Sequence, residues 1–108
     1  MRMAWTLLFM AGICEIAWAI GLKYTDGFSR LWPSLATLTM MLVSIVLLAI
    51  ALKQIPVGTG YAVWTGIGAV GTAILGIFLF NESRDVVRLL FIGVIIAGIV
   101  RLKLFSTE

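Results

Sequence analysis

Gly12-Ile13-Cys14-Glu15-Ile16-Ala17-Trp18-Ala19-Ile20 is the stretch that decides how this chain folds. It lies inside an apolar run from Met3 to Leu22 whose one ionisable carboxylate is Glu15. At 1.5 Å of rise per residue, Glu15 falls roughly 18 Å into the run, near the middle of a bilayer core about 30 Å thick. A charge at that depth costs at least about 2.5 kcal/mol, and a glutamate side chain is too short to reach either surface. The carboxyl must therefore be neutral, paired, or turned toward a wet cavity. Each of these points to function rather than to packing.

The rest of the composition agrees. Of 108 residues, 62% are hydrophobic, and the mean hydropathy is +1.14. A water-soluble fold of this length could not cover so much apolar surface, so an all-α integral membrane protein is expected. The other acidic residues, Asp26, Glu82, Asp85 and Glu108, fall in predicted loops or at the terminus. The net charge of +3 comes from loop Lys and Arg, which suits lipid headgroups. There is no basic run or arm for nucleic acid. The single Cys14 excludes an internal disulfide and a cysteine metal cluster, and it reads as a small apolar filler. The chain has no histidine, which excludes His proton relays, His metal sites and the usual hydrolytic triads. No metal, cofactor or enzymatic activity is therefore expected. Arg2, the apolar run and Ala17-Trp18-Ala19 imitate a signal peptide, but Glu15 interrupts the run and further hydrophobic spans follow.

Four spans are predicted, at about 3–22, 31–52, 57–80 and 86–104, in a single transmembrane domain. Lys23 to Arg30 form a polar loop, with Gly27 available for its turn. Span 2 opens with Trp32 as an interfacial anchor and Pro33 in its first turn, where the missing N–H costs nothing. Span 3 is rich in glycine. Span 4 has a short apolar stretch, with Arg88 and Arg101 near its ends expected to snorkel.

Alternation places Arg2, Lys53, Arg101 and Lys103 on one side of the membrane and Lys23, Arg30, Arg84 and Arg88 on the other. This even balance gives no preferred orientation under the positive-inside rule. Copies inserted both ways could pair as an antiparallel, dual-topology homodimer. Such a pair would build from one short chain the inverted symmetry that secondary transporters place around a midplane site.

Helical spacing selects the residues that would face this site. On span 1, Trp18 lies one turn from Glu15. On span 3, Tyr61, Trp64, Gly68 and Gly71 form a stripe, and two aromatic rings that each carry one polar group suit the edge of a cation site. Gly66 and Gly68 permit a helix bend or close helix packing. On span 2, Ser44 is the only polar residue deep in the helix. Its hydroxyl either bonds back to its own helix or orients Glu15. On span 4, Gly93, Ala97 and the adjacent Gly98 allow a close dimer contact.

Two Glu15 carboxyls meeting at midplane would titrate as one coupled unit. They could hold either protons or one organic cation. If both cannot be held together, the site exchanges one for the other, and rocking of the dimer opens it to alternate sides. The residues thus predict a cation/proton antiporter.

Cys14-Glu15-Ile16-Ala17-Trp18-Ala19, Leu22-Lys23-Tyr24-Thr25-Asp26-Gly27-Phe28 and the segment Pro56 to Gly68, with its Tyr-x-x-Trp-x-Gly-x-Gly pattern, resemble the small multidrug resistance transporters over essentially the whole chain. Trp18 and the run Trp64-Thr65-Gly66-Ile67-Gly68-Ala69-Val70-Gly71 are most similar to the guanidinium exporters of that family. The resemblance implies a multi-pass bacterial inner-membrane protein working as an antiparallel homodimer, with proton-coupled export of guanidinium or a substituted guanidinium. It implies that Glu15 binds substrate or proton, that Trp18, Ser44, Tyr61 and Trp64 support it, and that span 3 bends near Gly66 and Gly68. Guanidinium is planar and donates in a fork that matches a carboxylate pair. Arg101 departs from the pattern, which has a small or apolar residue there, and it shortens span 4. A quaternary ammonium exporter of the same family shares Glu15, although Trp18 favours the smaller cargo. More distant readings are a dual-topology ion channel and a non-transporting partner subunit; two midplane carboxylates count against an anion channel.

Overall fold

The computed structural model describes residues 2–104 as four helices: α1 (Arg2–Tyr24), α2 (Leu31–Ala51), α3 (Val57–Leu79) and α4 (Val86–Leu104). α1 and α3 have 23 residues each, a length of about 35 Å. α1 from Met3, α2 and α3 are long and apolar enough to cross a membrane. α4 has 19 residues with Arg88, Arg101 and Lys103 among them, and by length and composition it does not reach that mark.

The breaks between helices have local causes. After α1, Asp26, Gly27 and Phe28 all take left-handed backbone, with φ of 50°, 70° and 67°. Gly27 alone does not carry the turn. Thr25 organises it, buried beneath: its hydroxyl donates to the Leu22 carbonyl at 2.8 Å and accepts from the Phe28 N–H at 3.2 Å. After α2, Pro56 stands immediately before the first residue of α3 with φ −55°. At the start of α4, Asp85 caps the helix: its Oδ1 accepts the Arg88 backbone N–H at 2.8 Å, and its Oδ2 accepts the Ser83 hydroxyl at 3.0 Å. These bonds, the one from Arg88 first, hold the Asp85 carboxyl below the usual carboxylate range.

α1 is the central helix, packed along α2 on one side and α3 on the other, while α4 leans on α3. The result is a slab only 17 Å across its smallest dimension. Its apolar core sits toward one end. Ala4, Trp5, Leu8 and Ala11 of α1 meet Leu48 and Ala51 of α2, Ile55 of the connection, and Val63 and Trp64 of α3. The first four follow a helical stripe, so one face of α1 enters this core. At the other end, small side chains between α1 and α3 leave the space described below.

Outer faces remain apolar and exposed. Leu89, Leu90, Phe91, Val94 and Val100 of α4 are all exposed, an arrangement that suits lipid or a partner and not water. Gly93, Ala97 and Gly98 lie on this exposed helix, and a Cβ built at either glycine meets nothing within 4 Å. Among the described residues, nothing packs against these two glycines.

Candidate functional site

Glu15 and Trp18 stand one turn apart on α1, both partly buried. Among the described residues, Glu15 Oε1, Trp18 Nε1 and Thr72 Oγ1 are enclosed yet have no hydrogen-bond partner. Leaving a buried polar atom unpaired is costly, and two of these residues, Glu15 and Thr72, line the same cavity, which marks a place for a ligand or proton. Gly68 of α3 backs the carboxyl. A Cβ there would overlap Glu15 Oε1 and Cδ and would lie 2.8 Å from Cγ, so the carboxyl can occupy this place only because position 68 is glycine. Gly66 serves a different contact: its Cβ would sit 2.9 Å from Ile99 Cδ1 of α4. α3 runs as unbroken helix through both positions, so the structure gives these two glycines a close-packing use.

Glu15 faces a cavity of about 730 Å³. One wall is α1, with Ala19 and Leu22 beyond Glu15. The other is a stripe on α3, Thr65, Gly68, Ala69, Thr72, Ala73 and Gly76, in alternating steps of three, one, three, one and three residues. These side chains are all small, which is why α1 and α3 enclose volume here while Trp64 and Val63 fill the opposite end. At the mouth stand Lys23, Phe80, Glu82 and Arg88. α2 contributes nothing to the lining, so the chain walls this cavity on α1 and α3, with Glu82 of the junction and Arg88 of α4 at its mouth.

Ser44 corrects an expectation. Its hydroxyl bonds neither to its own helix nor to Glu15. It donates to the Ala11 carbonyl of α1 at 2.7 Å and accepts the Trp64 indole N–H at 3.0 Å. In a regular helix the Ala11 carbonyl also accepts the Glu15 backbone N–H, since the two are four residues apart. Ser44 therefore ties α2 and α3 to the turn that carries Glu15, and acts through the backbone rather than on the carboxyl. Ser44 is fully enclosed and Trp64 nearly so. Ser44→Ala would strand the buried indole N–H, and about 1 kcal/mol of stability should be lost, near the middle of measured interhelical bonds in membranes. Thermal unfolding in detergent would reveal this as a lower midpoint, whereas an unchanged midpoint would show the network to be energetically idle.

Tyr61 stacks on Trp64 with ring centres 5.4 Å apart and remains 55% exposed. Neither ring lines the cavity, and neither does Trp18 or Ser44. Of the residues expected at the site, the fold brings Glu15 and Gly68 to the cavity; it hydrogen-bonds Ser44 and Trp64 to each other behind the Glu15 turn, with the Tyr61 ring packed on Trp64. Expectation from sequence missed the α3 stripe and the mouth residues. The stripe had a legible signal, six small residues at helical spacing. Glu82 had none beyond its charge. Arg88 does not simply snorkel; it reaches back to the Ala73 carbonyl and to Glu82.

Comparison with known proteins agrees with this geometry. The family model described as Small Multidrug Resistance protein matches residues 3–95. A protein named guanidinium exporter from Yersinia pseudotuberculosis is 62% identical over 104 residues, covering 96% of this chain and all of that protein. One of the same name from Salmonella typhimurium strain LT2 is 59% identical, covering 94% of this chain and 97% of its own length. A third, from Proteus vulgaris, is 57% identical over 96% of this chain and its own full length. With apolar helices, a carboxyl facing a cavity between them and likeness of this extent, the chain belongs to the small multidrug resistance protein family.

Proposed function

We propose that this protein exports guanidinium in exchange for protons, with Glu15 as the group that holds either one. The observation that carries this reading is Glu15 itself, which lines a cavity of small side chains and whose enclosed Oε1 has no partner among the described residues. A carboxylate there accepts the N–H fork of a planar cation, and its protonated form releases that cation. Carrying a transported ion in this way is work for a transporter rather than an enzyme. Relatives named guanidinium exporter, at 57–62% identity over nearly the full chain, support the cargo.

The working unit in this proposal is an antiparallel homodimer in a bacterial inner membrane, crossing it with all four helices of each copy. Three features support it: the even division of Lys and Arg between the two sides, the cavity walled on only two helices, and the uncovered Gly93, Ala97 and Gly98. Arg88 near one end of α4 and Arg101 near the other would lie at the two surfaces, which lets this helix cross despite its charges. Trp18 holds an unpaired indole N–H one turn from Glu15, and Ser44, Tyr61 and Trp64 brace that turn, so all four support the site at one remove. Bending of α3 near Gly66 and Gly68 belongs to the rocking motion.

One observation favours a second cargo class. About 730 Å³ is far more room than guanidinium fills, and bulky quaternary ammonium ions would fit. Quaternary ammonium offers no N–H to the carboxyl, which favours guanidinium in a site whose free groups are hydrogen-bonding atoms. Purified protein in liposomes under a proton gradient should take up guanidinium, and excess quaternary ammonium should compete weakly. Uptake of quaternary ammonium without guanidinium would reverse the cargo assignment, and flux of either that ignores the proton gradient would favour a channel.

A further inference from the structure

The mouth of the cavity already holds a guanidinium group, that of Arg88. Its Nη2 donates to Glu82 Oε1 at 2.8 Å and to the Ala73 carbonyl at 3.1 Å. We propose that the Glu82 carboxylate and the Ala73 carbonyl form a second guanidinium-binding subsite at this mouth, occupied in the resting chain by Arg88 and yielded to the incoming cargo. The inference rests on the guanidinium reading of Glu15 and extends it to the route by which the cation arrives.

The local chain builds this subsite. Asn81 takes left-handed backbone with φ 56°, which turns the chain back on itself after α3. The Phe80 and Glu82 N–H groups both donate to the Gly76 carbonyl, at 3.0 and 3.2 Å. The Glu82 side chain then lies directly over Gly76, where a Cβ would collide with its carboxyl. Glu82 is thus folded inward onto the cavity rim and not left in a free loop. From the other side, the Asp85 cap fixes the first turn of α4, and this aims Arg88 at Glu82. The second cation of the mouth, Lys23, is drawn aside over the Phe80 ring, 5.6 Å from its centre. It does not compete for the carboxylate.

Arg88 is a fitting surrogate and a displaceable one. It offers the same planar N–H donors as the proposed cargo, and carboxylate with carbonyl is the acceptor pair such donors seek. The pair is not sealed: the side chains are 27% and 44% exposed. Exchange of one guanidinium for another leaves the number of hydrogen bonds and the net charge of the contact unchanged. From Gly76 the α3 stripe descends to Gly68 beside Glu15, eight residues or about 12 Å along the helix. A cation released from Glu82 therefore has a short, small-walled path to Glu15. In an antiparallel pair each membrane face would present one such mouth.

The test is the KM and kcat of guanidinium uptake by the full-length protein in liposomes, for wild type, Arg88→Gln, Glu82→Gln and the double variant. Arg88→Gln removes the internal competitor, so KM should fall about threefold or more with kcat little changed. Glu82→Gln should raise KM, and the double variant should lose the whole gain of Arg88→Gln. A purely structural role for the pair would lower kcat or the melting point and would not tighten KM. Should Arg88→Gln fail to fold, Arg88→Lys keeps the charge without the fork, and the same Glu82-dependent fall in KM is expected on a smaller scale. Unchanged or raised KM in the Arg88 variants, or a fall that persists without Glu82, overturns the subsite and leaves the Glu15 reading standing. Failure of wild type to move guanidinium at all overturns both.

Discussion

Glu15→Gln is expected to abolish proton-coupled guanidinium exchange, with flux at least about 100-fold below wild type, while the protein stays folded. Glutamine has nearly the same shape, so the packing of α1 on Gly68 need not change. Its amide cannot take up and release a proton, and it carries no charge for the cation. Losing the partner of a desolvated ion pair costs about 3–5 kcal/mol, which converts to more than 100-fold in affinity. Among the described residues the enclosed Oε1 has no hydrogen-bond partner. Flux in liposomes and the unfolding midpoint in detergent should be measured on the same preparation. A variant that keeps coupled flux within tenfold of wild type, with a normal midpoint, would remove Glu15 from the mechanism.

Gly68→Ala should separate stability from activity. The new Cβ would meet the Glu15 carboxyl, which is the end of a flexible side chain, so the helices can keep their places and the carboxyl must move. A forced rotamer shift costs about 0.5–1.5 kcal/mol, and the methyl also takes up room beside the carboxyl. Guanidinium flux should therefore fall about tenfold or more. Alanine is the better helix former by about 1 kcal/mol, so the unfolding midpoint should hold or rise. Gly98→Ala is the control, since a Cβ there meets nothing within 4 Å among the described residues. It should leave Glu15 undisturbed, and any effect it has should appear in dimer association. Full activity in Gly68→Ala would mean that Glu15 works from a position other than the one seen against α3.

The glycines of span 3 suggest flexibility when considered as a composition. In the folded chain, Gly68 is occupied by a carboxyl, Gly66 by Ile99 and Gly76 by the Glu82 side chain. Each is first a close contact, and for Gly66 and Gly68 neighbours far along the chain decide which contact it is. Ser44 makes the same point. A lone serine in an apolar helix must bond to something, and spacing along α2 offers only its own helix. The acceptor it uses lies 33 residues away on α1, and its donor 20 residues away on α3.

What is local can be read from the residues alone. Hydropathy marks out the helices, glycine, proline and polar clusters place the breaks, and one carboxylate in an apolar run announces that the protein must do something with a charge at depth. These follow because desolvation and helical period act on each segment whatever its neighbours are. Packing between helices sets which face of α3 lies opposite Glu15, where small side chains open a cavity on one half of the slab while Trp64 closes the other, and how Arg88 turns back onto Glu82. Between apolar helices in lipid, hydrophobicity does not choose the partner face; close packing and single hydrogen bonds do. That choice is made by contacts between residues distant in the chain; the period of α3 marks out a face of small residues but does not say which helix that face will meet.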